Sequence, residues 1–255
     1  MDNPIVYEQP LNERIRTYLR LEHLFKQAAY TLRGFSVWDS RATVNALIDI
    51  LEIVSRGELK AETLKELDRL QAALSRLRDM PGVDREQLNT ILSQLDAAQK
   101  ELHGLQGHPG QSLRDNELIA SLRQRGTITA GSCSFDLPGY HYWLQQDPEV
   151  RIAKLETWYE ELNTILKPVS LILGILRESA DSREVVAEKG FYQQSLDSQT
   201  RAQLLRVTLD NSLDCYPEIS GGKHRFSVRF VRPGDSGRPV QMDGTVNFQL
   251  TCCTL

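Results

Sequence analysis

The ten residues Lys223-His224-Arg225-Phe226-Ser227-Val228-Arg229-Phe230-Val231-Arg232 decide how the second half of the chain is read. They carry four cationic side chains (Lys223, Arg225, Arg229 and Arg232) and no acid. In a β-strand, successive side chains point to opposite faces. One face then shows Lys223, Arg225, Ser227 and Arg229, and the other shows His224, Phe226, Val228 and Phe230. That pattern predicts a half-buried strand, apolar inward and basic outward. Arg225 and Arg229 fall on the outer face about 13 Å apart, at ~3.3 Å of rise per residue. Such a ledge suits an acidic peptide, a phosphate backbone or no ligand at all.

Outward from this strand the periodicity stays near two. Leu205, Val207, Leu209, Asn211 and Leu213 alternate with polar partners, a turn follows at Pro233–Gly237, and Val246, Phe248, Leu250 and Cys252 share one face of a last strand. No helical crossover separates these runs, which predicts antiparallel pairing. Ile5-Val6-Tyr7, closed by Pro10, reads as one more short strand.

Between these ends the period is helical. Leu11, Ile15, Tyr18, Leu19, Phe25, Ala29 and Leu32 form a stripe that ends at Gly34. Ser40 reads as the N-cap of a second helix with Val44, Leu47, Ile48, Leu51 and Val54 inward. A third helix carries Leu64, Leu67, Leu70, Leu74 and Leu77; a fourth starts at a capping box, Asp84 with Gln87. After the glycine-rich link His103–Gly110, a shorter helix uses Leu118, Ile119 and Leu122. In the stretch Gly126–Pro138, Thr127-Ile128-Thr129 and Cys133-Ser134-Phe135 read as β pieces. Helix returns after Gly139, with Asp147-Pro148 as a start signal. Pro168 is expected to break or kink the pattern, and Val169–Leu176 to form a helix buried all round. Amphipathic helices with short polar links predict an antiparallel bundle.

The fold class is therefore α+β. Residues 11–126 and 139–180 are expected to form the helical domain, and residues 1–10, 127–138 and 181–255 a small, mainly antiparallel β-domain.

Composition narrows the function. The 255 residues hold 30 Lys and Arg against 34 Asp and Glu, a net charge of −4, which argues against a dedicated nucleic-acid binder. Residues 181–255 contribute nine of each sign, so the basic strand is a local feature. The N-terminus lacks the basic n-region and apolar run of a signal peptide, and Val169–Leu176 is far too short to span a bilayer. The four cysteines, Cys133, Cys215, Cys252 and Cys253, form no CxxC pair, so no disulfide framework or zinc site is expected and a reducing cytoplasm is the expected compartment. The five histidines show no metal-binding spacing. Ser220-Gly221-Gly222-Lys223 fails as a phosphate-binding loop, because Pro217 replaces the first glycine and His224 the Ser or Thr. Gly131-Ser132-Cys133-Ser134 does not fit a nucleophile elbow. No cofactor is expected. What remains is a set of arginines, each of which alone also reads as an ordinary surface charge: Arg20 on a helix, Arg56 at a helix end, Arg225 and Arg229 as guards of an edge strand.

Longer stretches carry a resemblance. YEQPLNERIRTYLRLE (7–22), SRGELKAETLKELDR (55–69), PGVD (81–84), GQSLRDNELIASLRQR (110–125), CSFDLPGYHYWL (133–144), GFYQ (190–193), YPEISGGKHRFSVRF (216–230) and Cys252-Cys253 resemble, in the same order, the ZapD family of Z-ring-associated division proteins of Gram-negative bacteria. The resemblance implies a cytoplasmic homodimer at the midcell division site, dimerised through its helical domain, with the N-terminal strand joined to the sheet. It implies no enzymatic activity, but binding to the C-terminal tail of FtsZ and crosslinking of FtsZ filaments. The family's charged positions fall on Arg20, Arg56, His141, Arg225 and Arg229, and all five carry the expected residue type. Glu117 stands where the family has a basic residue, reversing the charge there. Two other function classes stay open on the residues alone: a nucleic-acid-binding module using the strand 223–232, and an enzyme with a dispersed site near Cys133 and His141.

Overall fold

The two sequence periods separate into two kinds of structure. The computed structural model describes residues 4–55, 57–78, 80–126, 128–197, 202–222, 224–234 and 237–254. In chain order these form β1 (Ile5–Pro10), α1 (Glu13–Thr31), α2 (Val37–Val54), α3 (Leu59–Ser75), α4 (Arg85–Gly104), α5 (Gln111–Arg114), α6 (Glu117–Arg125), α7 (Pro138–Leu144), α8 (Pro148–Glu160) and α9 (Asn163–Arg177). The strands β2 (Arg183–Ala187), β3 (Phe191–Ser195), β4 (Ala202–Leu209), β5 (Tyr216–Gly221), β6 (Arg225–Arg232), β7 (Val240–Gln241) and β8 (Val246–Thr254) follow. The fold is α+β.

The chain divides into two compact units. One holds residues 1–16 and 173–255, the other residues 17–172, so the boundaries fall inside α1 and α9.

The β unit contains two four-stranded sheets rather than the one small sheet expected. The first runs β1-β4-β8-β2; the second runs β3-β6-β5, with β7 on β6. Every pairing is antiparallel. Alternation aims Leu205, Val207, Leu209, Val246, Phe248 and Leu250 from one sheet and Phe226, Val228 and Phe230 from the other into a single core. Aromatic edges close it: the Phe230 and Phe248 ring centroids are 5.0 Å apart, and Tyr192 meets Phe248 edge-on at 5.6 Å. The tight turn that carries the chain from β2 in one sheet to β3 in the other is closed by the bridge Glu188↔Phe191 and runs through Lys189 and Gly190, both with positive φ, as a type I′ turn requires. A Cβ at Gly190 would lie 2.5 Å from the Met242 carbonyl oxygen, so glycine is needed there twice over.

The N-terminal strand joins this unit, as the resemblance implies. β1 pairs with β4 from Ile5↔Leu209 to Pro10↔Leu204. Glu8 on β1 accepts from Arg177 Nε and Nη2, each at 2.8 Å, and from Arg206 Nε at 3.1 Å. One carboxylate thus holds β1, β4 and the end of α9. Past α9, Ser179 Oγ accepts from the Thr254 amide, which tethers β8.

In the helical unit α3 and α4 form an antiparallel pair. Asp84 caps α4 through the Glu86 and Gln87 amides. Lys60 of α3 donates to the Leu105 carbonyl just past α4 at 2.6 Å. Buried Tyr18 of α1 donates to Thr63 of α3. Gly110, left-handed at φ +70°, starts α5; a Cβ there would meet Leu51 and Leu162 at 2.7 Å. Four expectations need correction here. The cap of α2 is Ser36, which forms a reciprocal box with Asp39; Ser40 is buried and accepts from Arg151 instead. Pro168 does not end α9, which passes through it. Ser170 is exposed on α9, so Val169–Leu176 has a solvent face after all. Residues 128–137 form turns, not strands, and belong to the helical unit. Successive i→i+3 amide bonds, such as Gly131 to Ile128 and Cys133 to Ala130, satisfy their backbone locally and leave no ladder to form.

Replacing Glu8 with Gln should destabilise the protein by about 2–3 kcal/mol, because two largely buried arginines lose their counter-charge. At roughly 2–4 °C per kcal/mol for a chain of this size, the melting temperature should fall by about 5–10 °C, read by circular dichroism. A change within ~1 °C would remove the carboxylate from its central place in the β unit.

Candidate functional site

The outer face of β6 is built from both its neighbours. Inner residues Phe226, Val228 and Phe230 are buried, which leaves Arg225, Ser227 and Arg229 outward. β6 lies between β3 and β5. It is therefore a central strand, and the reading of its arginines as edge guards is corrected: they do not protect an open edge.

Directly paired residues of an antiparallel sheet share a face. On β3, Phe191, Gln193 and Ser195 stand opposite Arg229, Ser227 and Arg225. On β5, Glu218 and Ser220 stand opposite Arg229 and Ser227. A row Phe191–Arg229–Glu218 therefore crosses three strands. Arg229 donates from Nε and Nη2 to one oxygen of Glu218, with Nε at 3.1 Å. Both side chains are about half exposed (50% and 41%), so water screens the pair. Arg225 has no ion-pair partner among the described residues. Phe191 is 43% exposed, an aromatic surface beside a cation. Neither Phe191 nor Glu218 was foreseen; the only signal was strand register, which a single sequence does not reveal.

Arg225 and Arg229 are the expected site residues that the structure brings together. Arg20 is exposed on α1 and His141 is exposed on α7 in the helical unit, and no hydrogen bond or ion pair joins them. Arg56 lies outside the described residues, as does Lys223. Glu117 is the first residue of α6, behind the cap Asn116, whose side chain accepts from the Ile119 amide. A carboxylate there suits the positive end of the helix dipole, which gives the reversed charge a local rationale.

No metal-binding group of His, Cys, Asp and Glu occurs among the described residues, and no described helix is long and apolar enough to cross a membrane. Gly221 ends β5 opposite Phe226, and the Gly222 amide just beyond it donates to the Arg225 carbonyl. Cys133 sits in the turn-rich stretch, and no hydrogen bond links it to His141. Burial pushes the Cys215 and Cys252 thiols up, and that of Cys253 up to about 11. Protonated thiols are poor nucleophiles at neutral pH.

Comparison with known proteins agrees with the sequence motifs. The ZapD family model, described as a cell division protein, matches residues 19–229. The chain belongs to the ZapD family. A cell division protein ZapD of Methylococcus capsulatus is 46% identical over 255 residues, covering all of both chains. Those of Bordetella petrii and Nitrosomonas eutropha are each 39% identical, over 98% of this chain and 99% and 100% of theirs. The stretch YPEISGGKHRFSVRF of this chain contains both the acid Glu218 and the arginines Arg225 and Arg229.

Cys253 should resist iodoacetamide in the native protein near neutral pH and react once urea has unfolded it. Its proton is held more tightly folded than unfolded, as is that of buried Tyr140, pushed up to about 12. The stability they contribute is complete below pH 9.0, the ordinary thiol value, and is lost as pH rises towards about 11 and beyond. Urea midpoints across this range should fall, and fall less steeply in Cys253→Ala; equal slopes would show that the thiol is not responsible.

Proposed function

We propose that this protein binds the C-terminal tail of FtsZ and, as a homodimer, crosslinks FtsZ filaments at the cytoplasmic division site, with no chemical step. Membership of a cell division family supports the role. The observation that carries the binding mode is the outer face of β6, where Arg225 and Arg229 stand on a strand held from both sides. Guanidinium groups on a fixed backbone suit carboxylates, and arginine binds them through paired N–H donors. Phe191 adds an apolar contact next to Arg229. A flexible acidic tail with apolar residues would order on this face. A phosphate backbone fits less well, because Glu218 places a carboxylate on the same row.

Crosslinking needs two ledges on one particle, and a second copy supplies them. The helical unit exposes large aromatic side chains near the start of α2 and on α7. Phe35 is 67%, Trp38 77% and Tyr142 71% exposed. Arg41 lies over both the Trp38 and Tyr140 rings, and Tyr140 stacks on Trp143. Exposed aromatic groups of this size mark interaction surfaces, and we assign this one to the partner copy.

Co-sedimentation with polymerised FtsZ tests the main reading. Binding and bundling should require the FtsZ tail, and Arg225→Glu with Arg229→Glu should weaken binding on the order of a hundredfold or more, since two charged hydrogen-bonding groups at about 1.5–3 kcal/mol each are lost. Undiminished binding by the double variant, with its fold intact, would remove the ledge from this role. Trp38→Glu should shift the protein from dimer to monomer in analytical ultracentrifugation while leaving binding of the isolated tail peptide unchanged; a dimer that persists would place the seam elsewhere.

A further inference from the structure

We infer that Glu218 is a built-in competitor for the ledge: its carboxylate occupies Arg229 in the free protein and holds the affinity for acidic peptides below what the two arginines could give. This rests on the tail-binding reading and adds the element that tunes it.

The register is the first support. Glu218 is the cross-strand partner of Arg229, on a neighbouring central-to-edge pair whose backbone ladder fixes both residues. It does not reach the arginine by chance of a long loop. The contact geometry is the second. Two N–H groups of the guanidinium, Nε and Nη2, converge on one Glu218 oxygen. An incoming carboxylate must either take these donors from Glu218 or use the remaining ones with a like charge beside it. Both routes cost affinity. The charge count is the third. Among the described residues, Arg225 and Arg229 against Glu218 give this face a net +1, and removal of the Glu218 charge alone raises it to +2.

An opposite role is conceivable on the same contact, in which Glu218 orients Arg229 for its ligand. The structure weighs against it. Arg229 lies on a strand paired on both sides, opposite Phe191 as well as Glu218, so its backbone is already positioned. The pair is also half exposed, where holding a long side chain in one geometry gains little. The two roles differ in sign, which makes them separable.

The test is fluorescence anisotropy with a labelled synthetic peptide of the FtsZ C-terminal tail and the full-length protein, at several salt concentrations. The wild type, Glu218→Gln, Arg229→Gln and the double variant are compared. Glu218→Gln keeps the shape and should bind about three- to tenfold more tightly, with a steeper salt dependence, because more net charge is engaged. Most of the gain should be lost when Arg229 is also Gln, leaving only the weaker effect of the removed charge on Arg225. Glu218→Ala should change affinity in the same direction, which guards against an effect peculiar to the amide. Unchanged or weaker binding by Glu218→Gln, while Arg229→Gln still weakens binding, would overturn the competitor and leave the tail-binding reading standing. No binding of the peptide by the wild type, or binding indifferent to Arg225 and Arg229, would overturn both.

Discussion

The β unit depends on one carboxylate. Glu8 lies in the first strand, yet its hydrogen-bond partners Arg177 and Arg206 are 169 and 198 positions away. Bringing such distant segments together has a loop-closure cost that local contacts cannot offset. The ladder between β1 and β4 supplies backbone bonds, but a ladder alone tolerates slippage. A two-armed ion pair at one register does not. Glu8 opposes Arg206 directly in that ladder, so the register that joins β1 to β4 is also the one that satisfies the charge. The arrangement is largely closed off from bulk water, with Glu8 19%, Arg177 21% and Arg206 29% exposed. There the missing solvent makes partner loss costly rather than neutral.

From that constraint the candidate site follows in steps. With β1, β4, β8 and β2 in register, one sheet presents Val207, Phe248 and Leu250 as a surface on which the other can pack. β6 answers with Phe226, Val228 and Phe230. Because its odd-numbered side chains are committed to the opposite direction, Arg225 and Arg229 face solvent without any contribution from the ligand. The same alternation that buries three apolar side chains therefore exposes two arginines. A site made this way has its backbone fixed by a neighbouring strand on each side.

Much of this was legible in the sequence, for physical reasons that differ by element. The apolar alternation of β6 and β8 and the stripes of α1 and α2 follow from burial of one face, which period alone reveals. The cap at Asp84 and the proline start of α8 were also local signals. Failures fall where a local signal competes with a tertiary one. Ser40 reads as the cap of α2, but the reciprocal bond between Ser36 and Asp39 starts the helix four residues earlier. The stretch 128–137 contains β-forming residues but satisfies its amides through tight turns. Pro168 sits inside α9, where the flanking Ile165, Val169 and Ile172 are buried and packing holds the helix across it. The site was half legible: Arg225 and Arg229 share a strand, so their alignment needs only the period of two. Phe191 and Glu218 come from other strands, and nothing in their own neighbourhood announces the register that sets them beside Arg229.

The position of β8 has a consequence for how the protein comes into being. Val246–Thr254 is made after every other strand described, yet it lies between β4 and β2 at the centre of its sheet. A chain still on the ribosome can complete the helical unit, whose residues 17–172 emerge early, but not the sheet that backs β6. The apolar side of β6 then has nothing to pack on, and the face that carries Arg225 and Arg229 has no fixed shape. A chain cut before β8 would therefore lose the packing partner of β6 as well as the strand itself.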